Sequence, residues 1–310
     1  MTATTTAARE TVPSAAAIEA GDFFLRSGPF TTRVHTSIPH LLDGIARLYE
    51  PRHINAHRDF ADFHVTVAPP RGPRRWYRPQ VLFHLDGVVP FKPLPLLHAV
   101  PIFEWGLNWC IVNRANSYLI IHAAAIEKNG FVAIMPGVPG AGKSTLTAGL
   151  VNRGWRLLSD EMALISLTDG RVMPLVRPIS LKNESIALIR DFVPGAQFSA
   201  ACHDTIKGTV AHLKPPQESL NRVDEPARPA WIIFPHYVNG LPATLATYSK
   251  AASLIEIARN AFNYSVHGAR GFAVLADIVE SSRCYRFSYG DLDEAVEVFA
   301  ALEPPTRAGA

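Results

Sequence analysis

The sequence predicts an α/β fold, and three observations support that prediction. Apolar residues make up 48% and charged residues 18% of the 310 residues, which is typical of a globular protein. Short apolar runs of strand length alternate with longer stretches in which apolar residues recur at helical spacing. One such run, 131–135, leads through a glycine-rich loop into a helix-like stretch at 145–151. Strand, tight loop and helix in this order form the basic unit of α/β proteins.

Composition divides the chain into four segments. Residues 1–20 are rich in Ala and Thr and lack an apolar run, so we expect a disordered tail there. Residues 21–100 are predicted to form a small α+β N-terminal domain. Residues 101–303 are predicted to form a larger α/β domain that carries the chemistry, and residues 304–310 a second tail.

The pattern of the first domain predicts one helix and two or three strands. Apolar residues recur at helical spacing over 39–49 and predict a helix. Alternating apolar and polar residues predict a strand over 60–68 and one or two strands within 77–89. The Pro- and Gly-rich stretch 69–73 predicts the turn between them.

The second domain is predicted to mix helices and strands throughout. Helices are predicted over 101–114, 145–151, 254–261, 271–282 and 292–302; strands over 118–127, 131–135, 155–158, 172–181, 230–234 and 285–289; and loops over 198–204 and 215–228. The sequence Lys128-Asn129-Gly130 favours a tight turn, so the first two strands are expected to form a hairpin.

The most specific local signal lies between the strand 131–135 and the helix that follows it. This stretch reads Gly137, Val138, Pro139, Gly140, Ala141, Gly142, Lys143, Ser144, Thr145. It fits G-x-x-x-x-G-K-[ST], the pattern of a phosphate-binding loop, or P-loop. Inward-facing N–H groups and the positive end of the following helix bind phosphate oxygens in such loops. We expect Lys143 to reach the β- and γ-phosphates of a nucleotide and Ser144 to ligate Mg²⁺.

Two adjacent acids and a histidine flank this loop in the sequence. Asp160 and Glu161 close the strand 155–158, and successive strand residues point in opposite directions. One acid can therefore face Mg²⁺ while the other faces a substrate hydroxyl. His122 is predicted within an apolar strand paired with the one that feeds the P-loop. The alternative is that His122 is an ordinary core histidine.

Basic residues farther along the chain are further candidates. Lys207, beside Gly208 and close to a Pro turn, could bind a transferring phosphoryl group, and a plain surface loop is the alternative. Arg177 and Arg270 are interpreted as surface or structural residues.

Charge and cysteine content exclude several classes of function. The net charge is +3 and no run of Lys and Arg occurs, so neither a nucleic acid nor a membrane surface is expected as a partner. No apolar stretch approaches the roughly 18 residues of a transmembrane helix. Cys110, Cys202 and Cys284 are widely spaced and are interpreted as small buried residues. The first 20 residues fit no signal or transit peptide, so a cytoplasmic location is expected.

The segment 122–165 resembles the catalytic domain of bacterial HPr kinase/phosphorylase. In that family a His-led strand hairpin runs into the P-loop, and a later strand ends in paired acids. The matching residues here are His122, Gly137, Lys143-Ser144, Gly154-Trp155-Arg156-Leu157 and Asp160-Glu161, and later Ile206-Lys207-Gly208, where Lys replaces the Arg of the family. The whole chain is most similar to the HPr-kinase-related kinases of the "HprK-related kinase A" type.

The resemblance implies a P-loop core like that of HPr kinase and phosphoenolpyruvate carboxykinase. It implies ATP and Mg²⁺ as cofactors and transfer of the γ-phosphoryl group to a protein or peptide hydroxyl, with Ser expected as the acceptor. Asp160 would take the acceptor proton, Glu161 would ligate Mg²⁺ together with Ser144, and His122 would lie beside the acceptor or the phosphoryl group. A homo-oligomer is also implied.

The sequence departs from the family in three places. Glu161 stands where the family has Asp, and Thr205 stands where it has an acid, with Asp204 next to it. The N-terminal part does not resemble the true HPr kinase, so HPr itself is not expected as the acceptor. Two alternatives stay open: a non-catalytic ATP-binding regulator, and a small-molecule kinase or carboxykinase-like enzyme.

Overall fold

The computed structural model describes residues 14–72 and 77–305 and shows a mixed α/β protein with several sheets. It divides into two compact units, up to Ile102 and from Phe103 onward. The sequence-based division lies at residue 100. Most of both predicted tails and residue 73 of the predicted turn fall outside the described residues. Within the described part of the chain, no helix is both long and apolar enough to cross a membrane.

The first unit is built on a six-stranded mixed sheet. Its elements are α1 (Ser14–Ala20), β1 (Asp22–Ser27), β2 (Phe30–Thr36), α2 (Pro39–Leu48), β3 (Ile54–Asn55), β4 (Phe63–Ala68), β5 (Gln80–Leu85) and β6 (Leu94–Pro95). The strand order is β3-β1-β2-β4-β5-β6; β2 and β4 are parallel, and the other neighbours are antiparallel. Alternate residues of these strands, such as Phe23, Val34 and Val65, are buried. The alternation predicted over 60–68 is confirmed in β4, whereas β1 and β2 were not predicted.

Helix α1 corrects the expectation of a disordered tail for the described residues 14–20. Ser14–Ala20 is helical, and the side chains of Ala17 and Ile18 are buried. Alanine has the highest intrinsic helix propensity of any residue type, so the run Ala15-Ala16-Ala17 favours a helix. Ile18 gives this helix an apolar contact. A seven-residue helix needs such burial to persist.

The second unit contains one six-stranded sheet and two three-stranded sheets. Its elements are α3 (Ala99–Arg114), β7 (Tyr118–Ile121), β8 (Ala123–Lys128), β9 (Phe131–Pro136), α4 (Lys143–Val151), β10 (Arg156–Ser159), β11 (Ala163–Ser166), β12 (Val172–Met173), β13 (Ile179–Lys182), α5 (Glu184–Phe192), β14 (Cys202–Thr205), β15 (Gly208–Leu213), α6 (Gln217–Asn221), β16 (Arg228–Tyr237), β17 (Thr244–Thr247), α7 (Lys250–Arg259), α8 (Tyr264–Ser281), β18 (Arg283–Tyr289) and α9 (Leu292–Ala300). The large sheet has the order β10-β8-β9-β16-β18-β17, and the small sheets are β12-β11-β7 and β13-β15-β14.

Strand direction in the large sheet brings several chain ends to one edge. β8 and β9 form the predicted hairpin, which turns at Asn129 (φ +55°) and Gly130 (φ +85°). β10 is antiparallel to β8 and therefore runs in the same direction as β9, β16 and β18. The carboxyl ends of these four strands and the start of β8 thus lie at the same edge, where ligands bind in open α/β sheets.

Both faces of this sheet are covered by apolar side chains. Successive residues of β8 alternate between two separate core clusters, with Ala124 and Ile126 in one and Ala123 and Ala125 in the other. A strand that is buried on both faces needs apolar residues at successive positions, which explains the continuous apolar run of β8 in the sequence. Cys110, Cys202 and Cys284 are buried, as predicted.

Several predicted elements differ in the structure. The single strand expected over 118–127 is two strands in different sheets, β7 and β8, separated by His122. Its uniform apolar character concealed the break. The loop expected over 198–204 contains β14, and the loop over 215–228 contains the short helix α6. Helix α5 and strand β17 were not predicted, and β17 is an exposed strand at the edge of the large sheet.

Candidate functional site

The predicted phosphate-binding loop connects β9 to α4 and leaves the helix N-terminus open. Pro136 ends β9 and Lys143 begins α4. Gly140 (φ +90°) and Gly142 (φ +86°) adopt left-handed backbone conformations that side chains other than glycine disfavour. The loop therefore turns its backbone toward the start of the helix, where anions are bound by N–H groups and the helix dipole.

Two tyrosines at the carboxyl ends of neighbouring strands support this loop. Tyr289, at the end of β18, donates a hydrogen bond from its hydroxyl to the Gly142 carbonyl oxygen at 2.9 Å. The backbone N–H of Tyr237, at the end of β16, donates to the Ala141 carbonyl oxygen at 3.2 Å. A Cβ atom at Gly142 would meet the Tyr289 hydroxyl and lie 2.7 Å from the Tyr237 Cβ. The sequence offered no reason to place either tyrosine against the loop.

Replacing Gly142 by Ala is expected to lower the melting temperature (Tm) well below that of Gly140→Ala. Both glycines have positive φ, so both substitutions carry a similar backbone cost of about 1–2 kcal/mol. A Cβ atom at Gly140 would meet nothing within 4 Å, whereas one at Gly142 overlaps both tyrosines. Thermal unfolding monitored by circular dichroism measures the difference, and equal Tm values for the two variants would remove the packing role of the tyrosines.

Lys143 is directed back onto the loop. Its Nζ donates hydrogen bonds to the carbonyl oxygens of Gly137 and, at 3.4 Å, Val138. The side chain is buried, and burial lowers the pKa of its ammonium group, opposed by the nearby carboxylates of Asp160 and Glu161. Carbonyl oxygens are weaker partners for an ammonium group than phosphate oxygens, so a bound phosphate can displace them.

Asp160 lies against Ser144, the last P-loop residue of the G-x-x-x-x-G-K-[ST] pattern. The Ser144 hydroxyl donates to Asp160 Oδ2 at 3.0 Å, and the backbone N–H of Ser180 donates to the same oxygen at 3.2 Å. Asp160 Oδ1 is buried without a hydrogen-bond partner. Burial, and secondly the charge of Glu161, raise the pKa of Asp160 to about 7.

The acid pair, of which Asp160 is buried and Glu161 half-buried, fits a hard divalent cation. Mg²⁺ prefers oxygen ligands, and a hydroxyl, a carboxylate with a free oxygen and a second carboxylate lie together here. Among the described residues, no group of three or more His, Cys, Asp and Glu side chains could hold a metal ion. Mg²⁺ bound with a nucleotide usually takes only one or two carboxylates and completes its shell with phosphate and water.

The pH dependence of stability should reveal the protonated Asp160 in the metal-free protein. Because its pKa is raised from 3.8 to about 7, Asp160 holds its proton more tightly in the folded than in the unfolded state. The resulting contribution to the free energy of unfolding is fully present below pH 3.8 and is lost as the pH rises through about 7. Asp160→Asn cannot lose this proton. The Tm of that variant relative to wild type should therefore rise between pH 5 and pH 8, by on the order of 5 °C. A Tm difference that stays constant over this range would contradict the raised pKa.

His122 lies at the break between β7 and β8, beside the P-loop rather than inside a strand. Its backbone N–H donates to the Asn260 carbonyl oxygen at 2.7 Å, and its ring contacts Phe262 at a centroid distance of 5.6 Å. The side chain is half-buried. Burial lowers the pKa of the imidazole, as does the charge of Lys143, while Glu161 opposes this. The pKa of His122 therefore depends on the charges of Lys143 in the loop and of Glu161.

Lys207 lies at the tip of the β14–β15 hairpin and reaches the same region. Its Nζ lies 4.8 Å from the centroid of the Trp105 ring. Burial of the ammonium group lowers the pKa of Lys207. The charge of Lys182 lowers it further, whereas the charge of Glu161 raises it. Lys182 also lowers the pKa of Lys143, so it belongs to the same cluster of cations. The sequence did not single out Lys182.

Thr205 shapes this hairpin. Its hydroxyl donates to the Gly208 carbonyl oxygen at 2.7 Å and accepts from the Lys207 N–H at 3.0 Å. These bonds hold the turn that presents Lys207. Asp204 beside it is exposed and has a positive φ of +56°.

A small cavity opens beside the acid pair. Its volume is about 20 Å³, enough for one water molecule. Trp105, Asp160, Ser180 and His212 line it, and each has a buried side-chain polar atom without a hydrogen-bond partner. Burial lowers the pKa of His212, which favours the neutral imidazole. Such a set of orphaned donors and acceptors is satisfied when a polar group enters.

The structure brings together most of the residues that the sequence singled out. The P-loop, Asp160, Glu161, His122 and Lys207 all lie in or beside the same region of the second unit. Arg270 does not belong to it, because its guanidinium is exposed and donates to the Leu167 carbonyl oxygen at 3.3 Å. No family model matches the chain, and no curated protein is significantly similar to it.

Proposed function

We propose that this protein is an ATP-dependent kinase that transfers the γ-phosphoryl group to a protein or peptide hydroxyl, with Ser as the expected acceptor. Its second unit would be a P-loop core like that of HPr kinase and phosphoenolpyruvate carboxykinase. One observation carries the proposal: Ser144 of the phosphate-binding loop is hydrogen-bonded to Asp160, one of two adjacent acids, at the edge where the strand ends converge. This pairing is typical of nucleotide-binding sites that use Mg²⁺.

The triphosphate would occupy the loop 137–145. Its oxygens would accept hydrogen bonds from the loop N–H groups and from Lys143, whose present partners are only carbonyl oxygens. Ser144 and the acid pair would hold Mg²⁺, which supplies positive charge to the β- and γ-phosphate oxygens when bound. Lys207 would face the transferring group and offset its charge, and His122 would lie beside that group.

Two assignments of the acids are compatible with this site. The resemblance implies that Asp160 takes the acceptor proton and that Glu161 holds the metal. A pKa of about 7 suits a proton acceptor at neutral pH. The hydrogen bond from Ser144 favours the reverse, with Asp160 on the metal side and Glu161 facing the acceptor. Variants of the two acids separate these assignments, as set out below.

The two other candidate functions differ in what happens to ATP. A regulator would bind Mg-ATP without consuming it, and its output would be a change of conformation. A small-molecule kinase or carboxykinase-like enzyme would consume ATP only in the presence of a small acceptor or acid. Consumption of ATP that depends on a protein or peptide therefore distinguishes the proposed kinase from both.

Incubation with γ-labelled ATP, Mg²⁺ and the proteins or peptides encoded by neighbouring genes tests the proposal. The expected result is label on one hydroxyl side chain, identified by mass spectrometry, together with ADP. Asp160→Asn serves as the inactive control. Mg-ATP that binds tightly but stays intact with every acceptor would favour the regulator, and label on small acids would favour the carboxykinase-like enzyme.

A further inference from the structure

A chain of four polar side chains leads from helix α3 to the acid pair. Arg177 Nη2 donates to the Glu104 carboxylate at 2.5 Å and to the Glu104 backbone oxygen at 2.8 Å. Arg177 Nη1 donates to Asn108 Oδ1, and Asn108 Nδ2 donates to Glu161 Oε2. Arg177 is buried, so it is not the surface residue that the sequence allowed.

The chemistry of its partners fixes the orientation of the Asn108 amide. An arginine guanidinium can only donate hydrogen bonds, so Asn108 must turn its oxygen toward Arg177. An ionised carboxylate can only accept, so Asn108 must turn its NH₂ group toward Glu161. A flipped amide would lose both bonds at once. The amide of Asn108 can therefore bridge Arg177 and Glu161 in one orientation only.

The far end of the chain is anchored more firmly than the near end. Glu104 and Arg177 are buried to more than nine-tenths and form an ion pair. Glu104 and Asn108 are four residues apart on α3, so they lie on the same face of the helix. A buried, hydrogen-bonded ion pair is costly to disrupt. It provides a rigid base from which Asn108 reaches the half-buried Glu161.

The position of the Glu161 carboxylate affects three basic side chains in the site. Its charge acts on Lys143, Lys207 and His122, and in each case it opposes the effect of burial. A rotation of the carboxylate away from these groups would weaken all three interactions together.

We propose that Asn108 is a positioning residue that directs the Glu161 carboxylate into the transfer site, and that Arg177 and Glu104 hold Asn108 in the required orientation. This inference rests on the proposed function for its catalytic consequence, but the positioning contact itself does not depend on it. The role applies whether Glu161 holds the metal or faces the acceptor.

Asn108→Asp tests the contact with almost no change in shape. An aspartate at this position can still accept from Arg177, but it places a second carboxylate against Glu161. Asn113→Asp is the matched control, because Asn113 lies on the same helix and is exposed, and its amide donates only to the Trp109 carbonyl oxygen. The double variant Asn108→Asp/Glu161→Gln exchanges donor and acceptor and restores a hydrogen bond between the two positions.

The first measurement is thermal unfolding of the full chain without nucleotide. Asn108→Asp should lower the Tm, and adding Glu161→Gln should recover about 2–4 °C of the loss, a coupling that Asn113→Asp does not show. Strictly additive Tm changes would overturn the inference, whatever the protein does with ATP.

The second measurement is Mg-ATP turnover with the mapped acceptor. Asn108→Asp should reduce kcat by at least about tenfold, with a KM for ATP within about twofold of wild type. The double variant should regain stability but not kcat. A kcat equal to that of Asn113→Asp would overturn the positioning role. A wild-type protein without turnover would instead remove the proposed function, and the thermal coupling would still decide the contact.

Discussion

Asp160→Asn is expected to reduce phosphoryl transfer by about 10²–10⁴-fold while Mg-ATP still binds. The asparagine keeps the hydrogen bond from Ser144, so the fold of the loop should be preserved. It cannot take a proton from a hydroxyl, and it brings no negative charge to a metal ion. The measurement is single-turnover transfer from γ-labelled ATP, with the affinity for Mg-ATP determined separately by calorimetry. Transfer at the wild-type rate would exclude an essential role for Asp160.

Glu161→Gln, measured beside Asp160→Asn, assigns the two roles. If Asp160 is the base, its variant should lose kcat at every Mg²⁺ concentration, whereas Glu161→Gln should mainly raise the Mg²⁺ concentration needed for half-maximal rate. If Asp160 is instead the acid on the metal side, as its hydrogen bond from Ser144 favours, the results should be reversed. Glu161→Gln should then lose kcat at every Mg²⁺ concentration, and Asp160→Asn should mainly raise the Mg²⁺ concentration needed for half-maximal rate. Two variants that both behave as wild type across the Mg²⁺ titration would contradict both assignments.

Lys143→Met is expected to lower kcat by about 10²–10³-fold and to weaken ATP binding. Methionine keeps the apolar stem and much of the length of lysine but removes the ammonium group. The hydrogen bonds to the carbonyl oxygens of Gly137 and Val138 are lost as well, so the empty loop should become less ordered. Calorimetric titration with Mg-ATP and single-turnover transfer measure the two effects.

Lys250→Met is the matched control for this substitution. Lys250 lies on α7, where its exposed ammonium group pairs with Glu280 at 3.5 Å. A surface pair of this kind contributes little to stability. The control should therefore bind and turn over ATP as wild type does. If Lys143→Met retained wild-type affinity and rate, Lys143 could not be the phosphate-binding lysine.

The parts of the site that follow from local chemistry could be predicted from the sequence. Gly142 has a positive φ and is a fixed glycine of the P-loop pattern, so the pattern records the need for glycine there directly. Gly140 also has a positive φ, although the pattern allows any residue at its position. The hairpin before it was marked by Asn129 and Gly130, which tolerate the same conformation. The nearness of Asp160 follows from strand direction, since β10 and β9 end at one edge.

The parts that depend on long-range packing could not be predicted. Asn108 approaches Glu161 only because α3 packs beside the strand ends, and nothing near Asn108 in the sequence announces this. Tyr289 supports Gly142 from the end of a strand much later in the chain. Lys182 ends a strand whose neighbour is the Lys207 hairpin. Each contact joins residues from separate elements.

The break at His122 shows a different limit of sequence reasoning. Both β7 and β8 are almost wholly buried, so the apolar run continues across the point where the chain changes sheets. The change is fixed by the partner of each strand, β11 for one and β9 and β10 for the other. Hydropathy does not report strand partners, and His122 was the only polar residue that marked the place.

A crystal structure with Mg²⁺ and a non-hydrolysable ATP analogue tests the central claim most directly. It should show one nucleotide per chain, with its phosphates on the backbone N–H groups of residues 137–145. Lys143 Nζ should have left the carbonyl oxygens of Gly137 and Val138 for a phosphate oxygen, and Mg²⁺ should lie between the phosphates, Ser144 and the acid pair. A nucleotide bound elsewhere, or a Lys143 still bonded to its own loop in the complex, would contradict the account.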